Sequence, residues 1–119
     1  QRLGIPQVMV LNGHVGNKRE NLEPKCPELF ARFDAMGVVY ITYWLTCPES
    51  FYDQHLELEK GAGHAGEFET SFAMLAFPER IRRDEINYDN ALKATLPKGG
   101  LILDAVLDGV SREIEEMLT

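Results

Sequence analysis

Val38-Val39-Tyr40-Ile41-Thr42-Tyr43-Trp44-Leu45 is a run of β-branched and aromatic residues, with Gly37 before it and Thr46-Cys47-Pro48 after it. Such side chains fit a pleated, half-buried surface, so the run predicts a strand over 38–45. Upstream, the apolar run PQVMVL at 6–11 ends at Asn12-Gly13, which predicts a buried strand stopping at a turn. Between the two, Pro27 is placed as the first residue of a helix over 28–36 that gathers Leu29, Phe30, Phe33 and Met36 on one side, and Gly37 stops it. Strand, loop, helix, strand with short connections describes a crossover in the parallel sheet of an α/β fold. In such sheets ligands collect beyond the carboxyl ends of the strands, where His14 and the corner at 44–48 fall.

Downstream, the charged and weakly patterned stretch 49–60 reads as a short helix or lid-like segment carrying Phe51, Tyr52 and His55. Over 66–77, Phe68, Phe72, Leu75 and Ala76 recur at spacings of three or four, the period of a helix, and Pro78 marks its end. The segment 84–97 reads as irregular. Gly99-Gly100 suggests a turn, followed by a short strand over 101–103 and a closing helix. No repeat or shift of composition divides the 119 residues, and 45% apolar content is enough to build a core, so one domain without disorder is expected. The chain opens at Gln1 and reaches a candidate catalytic loop by residue 12, which suggests a fragment or one chain of a split protein.

A net charge of −7 argues against a nucleic-acid partner, because phosphate binding draws on clustered Lys and Arg. The basic cluster Arg80, Arg82 and Arg83 sits beside Glu79, Asp84 and Glu85 and reads as a solvated helix end. Cys26 and Cys47 each precede a proline and lie 21 positions apart, neither a CxxC spacing nor a dense disulfide framework, so free thiols in a reducing cytoplasm are the expectation. No apolar run approaches the roughly 20 residues needed to cross a bilayer, and no signal peptide is visible.

Two motifs carry chemistry. In LNGHVGN at 11–17, a strand stops at His14 between Gly13 and Gly16, where backbone can approach a ligand. A neutral imidazole there suits a divalent metal, and a plain turn histidine is the alternative. In GAGHAGEFETS at 61–71, a glycine-rich loop turns into the helix with His64 ahead of it and Glu67 and Glu69 in its first turn. Glu69 reads either as a residue favoured by the helix macrodipole or as a ligand, with Glu67 a capping carboxylate and Thr70 and Ser71 solvated. A hydrolytic metal site needs an acidified water, an open coordination position and a separate proton carrier. His14 and Glu69 supply ligands, His64 the proton carrier, and the glycine-loop N–H groups an oxyanion site. Two protein ligands are too few. Further ones must come from outside this chain or from Glu20, Glu23, Asp53, His55 or Glu67, none of which has persuasive spacing.

NGHVGN at 12–17 and HAGEFETSFAMLAFPERI at 64–81 closely resemble two motifs of the creatininase family of metal-dependent amidohydrolases. The resemblance covers most of the chain and corresponds to the C-terminal half of a usual member, so residues 1–119 are expected to be half of one creatininase-like domain. It implies a three-layer α/β sandwich with a mainly parallel sheet, completed by a missing N-terminal half. It also implies His14 and Glu69 as metal ligands and His64 as catalytic acid or base, with Gly13, Val15, Trp44, Gly63 and Gly66 facing substrate. The implied cofactor is a divalent metal, two per site, as Zn2+, Mn2+ or Fe2+. The family's Glu-x-His pair and bridging Asp belong to the N-terminal half, which implies a partner chain supplying them, and members commonly form hexamers.

Gly16 stands where creatininase itself has a Glu two residues after the loop histidine, and Lys60 where it has an aromatic residue, which speaks against creatinine as substrate. Related members resemble formamide deformylases, a peptide-processing hydrolase of cofactor biosynthesis and ring-opening hydrolases of cyclic inositol-series ketones. The expected function is therefore a metal-dependent hydrolase in which activated water attacks a small cyclic amide or ketone or a linear amide. The alternatives are a non-catalytic scaffold or regulatory subunit that kept the fold, and a small-molecule sensor, which fits less because the polar residues cluster around one point and not along an apolar pocket.

Overall fold

A computed structural model describes residues 4–119. The chain is mixed α/β with a small parallel two-stranded sheet, and it forms two compact units. Gln1–Thr46 with Gly109–Thr119 make the first, and Cys47–Asp108 the second.

In the first unit, β1 (Met9–Asn12) pairs in parallel with β2 (Val39–Thr42), with Met9 opposite Val39 and Asn12 opposite Thr42. A one-turn helix α1 (Arg19–Leu22), absent from the sequence reading, and α2 (Pro27–Ala35) connect them. Pro27 opens α2, where a missing N–H costs nothing. At the other end Gly37 takes φ +68°, the Gly37 N–H donates to the Asp34 carbonyl and the Val38 N–H to the Phe33 carbonyl, so a left-handed glycine closes the helix as expected. Phe30, buried, meets Phe33 and Tyr40 edge-on at 5.6 and 5.4 Å, and the Arg19 guanidinium lies 5.2 Å over its ring. Arg19 also donates to both Asp34 oxygens (2.8 and 2.6 Å) and to Glu23, so α1 is tied to α2 by a guanidinium fork.

The strand expected over 38–45 is shorter than its composition suggests. After Thr42 the chain winds into a 3-10 turn, Tyr43–Thr46, in which the Thr46 hydroxyl donates to the Tyr43 carbonyl at 2.6 Å. Gly109 packs so closely on Thr46 that a Cβ there would overlap its side chain and carbonyl.

In the second unit, α3 (Glu49–His55) buries Phe51 and Tyr52, so this stretch is core and not a lid. Tyr52 lies 5.8 Å from Phe68 of α4 (Glu67–Ala76). The buried stripe of α4 is Glu67, Phe68, Ser71 and Met74. Phe72, Leu75 and Ala76, expected in that stripe, are half-buried or exposed, because two polar side chains take the inner positions. Ser71, expected to be solvated, is fully buried and accepts the Thr95 N–H at 3.0 Å.

The turn at Gly99-Gly100 and the strand over 101–103 are not formed. One helix, α5, runs Leu96–Leu118, its residues to Asp108 in the second unit and those from Gly109 in the first. Thr95 accepts the Lys98 N–H at Oγ1 (3.3 Å), Pro97 sits in the first turn where it is tolerated, and the buried residues Gly99, Ile102, Val106 and Gly109 repeat at helical spacing. Gly99 is there for contact and not for a turn: a Cβ would overlap the Ser71 carbonyl oxygen and lie 3.1 Å from Leu75 Cβ. Gly99→Ala is therefore expected to lower the melting temperature, since overpacking against backbone costs about 1–3 kcal/mol and outweighs the helix-propensity gain. Gly100 meets nothing within 4 Å, so Gly100→Ala should raise it by about 0.5–1 kcal/mol of stability. Equal signs in a thermal melt would contradict the packing.

Candidate functional site

His14 follows β1 in the first unit and is fixed through Asn12. The Asn12 side chain, 6% exposed, accepts the His14 N–H at 3.0 Å, and its amide donates to the His14 carbonyl and to Thr42 Oγ1, both at 2.9 Å. One buried amide thus links the ends of both parallel strands to the histidine backbone. The imidazole is exposed, and its Nδ1 accepts the Gly16 N–H at 3.1 Å, with a Cβ at Gly16 already within 3.0–3.1 Å of the ring. Gly13 and Val15 are exposed beside it. Trp44, on the turn after β2, is buried and edge-on to Tyr43 at 5.1 Å.

Asn12→Ala leaves the His14 N–H and the buried Thr42 hydroxyl without this partner, while the His14 carbonyl keeps the Asn17 N–H, and is expected to cost about 1–3 kcal/mol. Asn12→Asp keeps the acceptor but turns a carboxylate oxygen towards the His14 carbonyl, and should do no better. Urea unfolding of both variants measures this; wild-type stability in Asn12→Asp would remove the role given to the amide.

In the second unit, His64 is exposed between two left-handed residues, Gly63 (φ +63°) and Ala65 (φ +49°). A left-handed alanine costs about 1–2 kcal/mol and persists where its surroundings impose it. Here Glu69 Oε2 accepts the Ala65 N–H at 2.6 Å, and the Thr70 hydroxyl donates to the Ala65 carbonyl at 3.1 Å. Glu69, half-buried, therefore has one carboxylate oxygen engaged by a loop N–H as well as being a candidate ligand.

Two further carboxylates lie here. Glu67, fully buried, accepts the Glu57 and Leu58 N–H groups at 2.9 Å and the Lys98 ammonium at 2.6 Å; Lys98 also reaches Glu57 at 3.0 Å. Burial alone would raise the Glu67 carboxyl, but the Lys98 ammonium and the two N–H groups outweigh it and hold the group below the usual range. Burial likewise lowers Lys98, and Glu67 and Glu57 overcome it, leaving the ammonium raised. Glu67 thus serves the fold.

Glu59 was not singled out by the sequence. It is 6% exposed, its Oε2 accepts the Phe68 N–H at 2.8 Å, and a Cβ at Gly63 or Gly66 would overlap its carboxylate. The glycine spacing signals that something occupies those Cβ positions, but not what. Lys60, beside it, is exposed and paired with Asp53 at 2.6 Å. With Ala65 donating to Glu69, one N–H of the glycine loop expected to hold an oxyanion is already engaged by a carboxylate, and the Phe68 N–H at the start of α4 is engaged by Glu59.

His14 and Glu69 are of the donor types that hold Zn2+, Mn2+ or Fe2+. Among the described residues no group of three or more His, Cys, Asp or Glu is placed to hold a metal. A cation on Nε2 of His14 requires the ring proton on Nδ1, and one on Nδ1 displaces Gly16, so either mode gives up the Gly16 hydrogen bond.

Residues 1–113 match the family model Creatininase, described as creatinine amidohydrolase. The chain belongs to the creatininase family. No curated protein and no solved structure matches it. Creatininase-family membership points to an amidohydrolase-type function, hydrolysis of a C–N bond, and members are typically metal-dependent. No helix among the described residues is long and apolar enough to cross a membrane.

Proposed function

We propose that this creatininase-family chain is the C-terminal half of a metal-dependent hydrolase that opens a small cyclic amide or ketone or cleaves a linear amide. The observation that carries the reading is the family match along 1–113 together with His64 held exposed between two left-handed residues, one of them a strained alanine. His14 and Glu69 would hold the cation, as zinc, manganese or iron, and two ions per site suit the family. When bound, the cation acidifies water and polarises the carbonyl. His64 moves the proton, taking it at one ring nitrogen and returning it to the leaving nitrogen or carbon. Gly13, Val15, Trp44, Gly63 and Gly66 are the residues proposed to face substrate.

A parallel sheet is ordinarily covered on both faces, whereas Val8, beside β1, and Leu11, within it, are 41% and 52% exposed in this two-stranded one. This supports a polypeptide carrying the N-terminal half, which would complete a three-layer sandwich, supply the remaining ligands and assemble into a cytoplasmic hexamer. Turnover of a panel of lactams, formamides and cyclic ketones by the assembled protein, before and after chelation and metal return, tests the reading. Chelator-sensitive hydrolysis restored by metal is expected; full activity in the chelated, metal-free protein would reject it.

The second reading, a scaffold that kept the fold, is favoured by the engagement of His14 Nδ1 by Gly16 and of Glu69 by Ala65. Such a subunit would be indifferent to loss of His64.

A further inference from the structure

We propose that Glu59 is the positioning residue for His64, its carboxylate acting as the form around which the loop at 61–66 is moulded; this rests on reading His64 as the acid or base. A buried carboxylate is costly unless hydrogen-bonded, and this one, 6% exposed, is held at the positive end of the ten-residue helix α4. Its Oε2 accepts the Phe68 N–H at 2.8 Å, and its Oε1 lies 3.5 Å from Asn90 Nδ2. A Cβ at either glycine near His64, Gly63 or Gly66, would overlap this carboxylate and force it to move, and Gly63 is in addition left-handed at φ +63°. The Glu59 carboxylate therefore lies against the loop both before and after His64, while Glu69 and Thr70 hold the Ala65 N–H and carbonyl. His64 is fixed from both directions although its own side chain is exposed. Glu59 touches no reacting atom and acts through the path of the backbone.

The test uses Glu59→Ala and the milder Glu59→Gln in the full assembled protein. Each is followed by kcat and KM, metal content and amide hydrogen exchange over 61–68. A displaced catalytic group of about 1 Å costs roughly a hundredfold in rate. Glu59→Ala should lose on that order in kcat with KM and metal content near wild type, exchange faster across the loop, and add nothing further to His64→Ala in the double variant. Glu59→Gln, which keeps an acceptor for Phe68, should lie between and serves alone if the alanine variant does not fold. Unchanged kcat, or losses that multiply with those of His64→Ala, would overturn the proposal. If the wild type hydrolyses nothing, the reading of His64 has failed on its own, and loop exchange still decides: faster exchange in the variants upholds the moulding by Glu59, and wild-type protection overturns it.

Discussion

Replacing His64 with Ala is expected to lower kcat by about 10²–10⁴-fold, the range a positioned acid–base group contributes. Assembly and metal content should barely move. The side chain is exposed, while the loop around it is held by Glu59, Glu69 and Thr70, which the substitution leaves in place. The loss should fall on kcat more than on KM, because a proton carrier acts in the transition state and not in ground-state binding. Steady-state kinetics with metal analysis of the same sample measures this, and wild-type turnover in the variant would assign the chain to the scaffold reading.

Glu67→Ala should destabilise the second unit by about 1–3 kcal/mol or more, the cost of leaving buried donors unsatisfied. It removes one of the two carboxylates that hold the Lys98 ammonium, leaving Glu57 alone, and leaves the Glu57 and Leu58 N–H groups without their acceptor. The pH dependence has a definite sign. The folded-state pKa of Glu67 is depressed, so its contribution is complete above the unfolded value of roughly 4.3 and is lost as pH falls through the lower folded value. Lys98 is raised, so its contribution holds below the unfolded value of roughly 10.4 and is lost as pH rises through the higher folded one. Urea unfolding of wild type and Glu67→Gln should therefore differ most near neutrality and converge in acid. A gap that widens as pH falls would contradict the pairing of Glu67 with Lys98.

Where local chemistry and tertiary contact agree, the sequence was legible. Pro27 and Gly37 bound α2, Gly66 and Pro78 bracket α4, and the strand run at 38–45 does contain β2. Where a residue's role is set by what touches it, the sequence misled. Gly99-Gly100 looks like a turn because glycine permits one, yet Gly99 is needed for the approach of α5 to Ser71. Leu101 to Leu103 reads as a strand by composition, and only the spacing from Gly99 through Ile102 to Val106 and Gly109 reveals a helix face.

The same holds at the site. His14, His64 and Glu69 stand out as candidates through their unusual neighbours, whereas Asn12 and Glu59 do not, since a single Asn or Glu has no periodicity. Their importance lies in distances: Asn12 to Thr42, thirty residues on, and Glu59 to Phe68 across a loop. The glycines at 63 and 66 signal a close approach in the sequence, and the group that approaches them is the Glu59 carboxylate.

The decisive measurement is the divalent metal content of the fully assembled protein, by elemental analysis after dialysis, for wild type, His14→Ala and Glu69→Ala. Bound metal in the wild type and its loss in both variants, with assembly retained, is the predicted result. An assembled wild type without metal, or variants that keep the full complement, would contradict a cation held by His14 and Glu69.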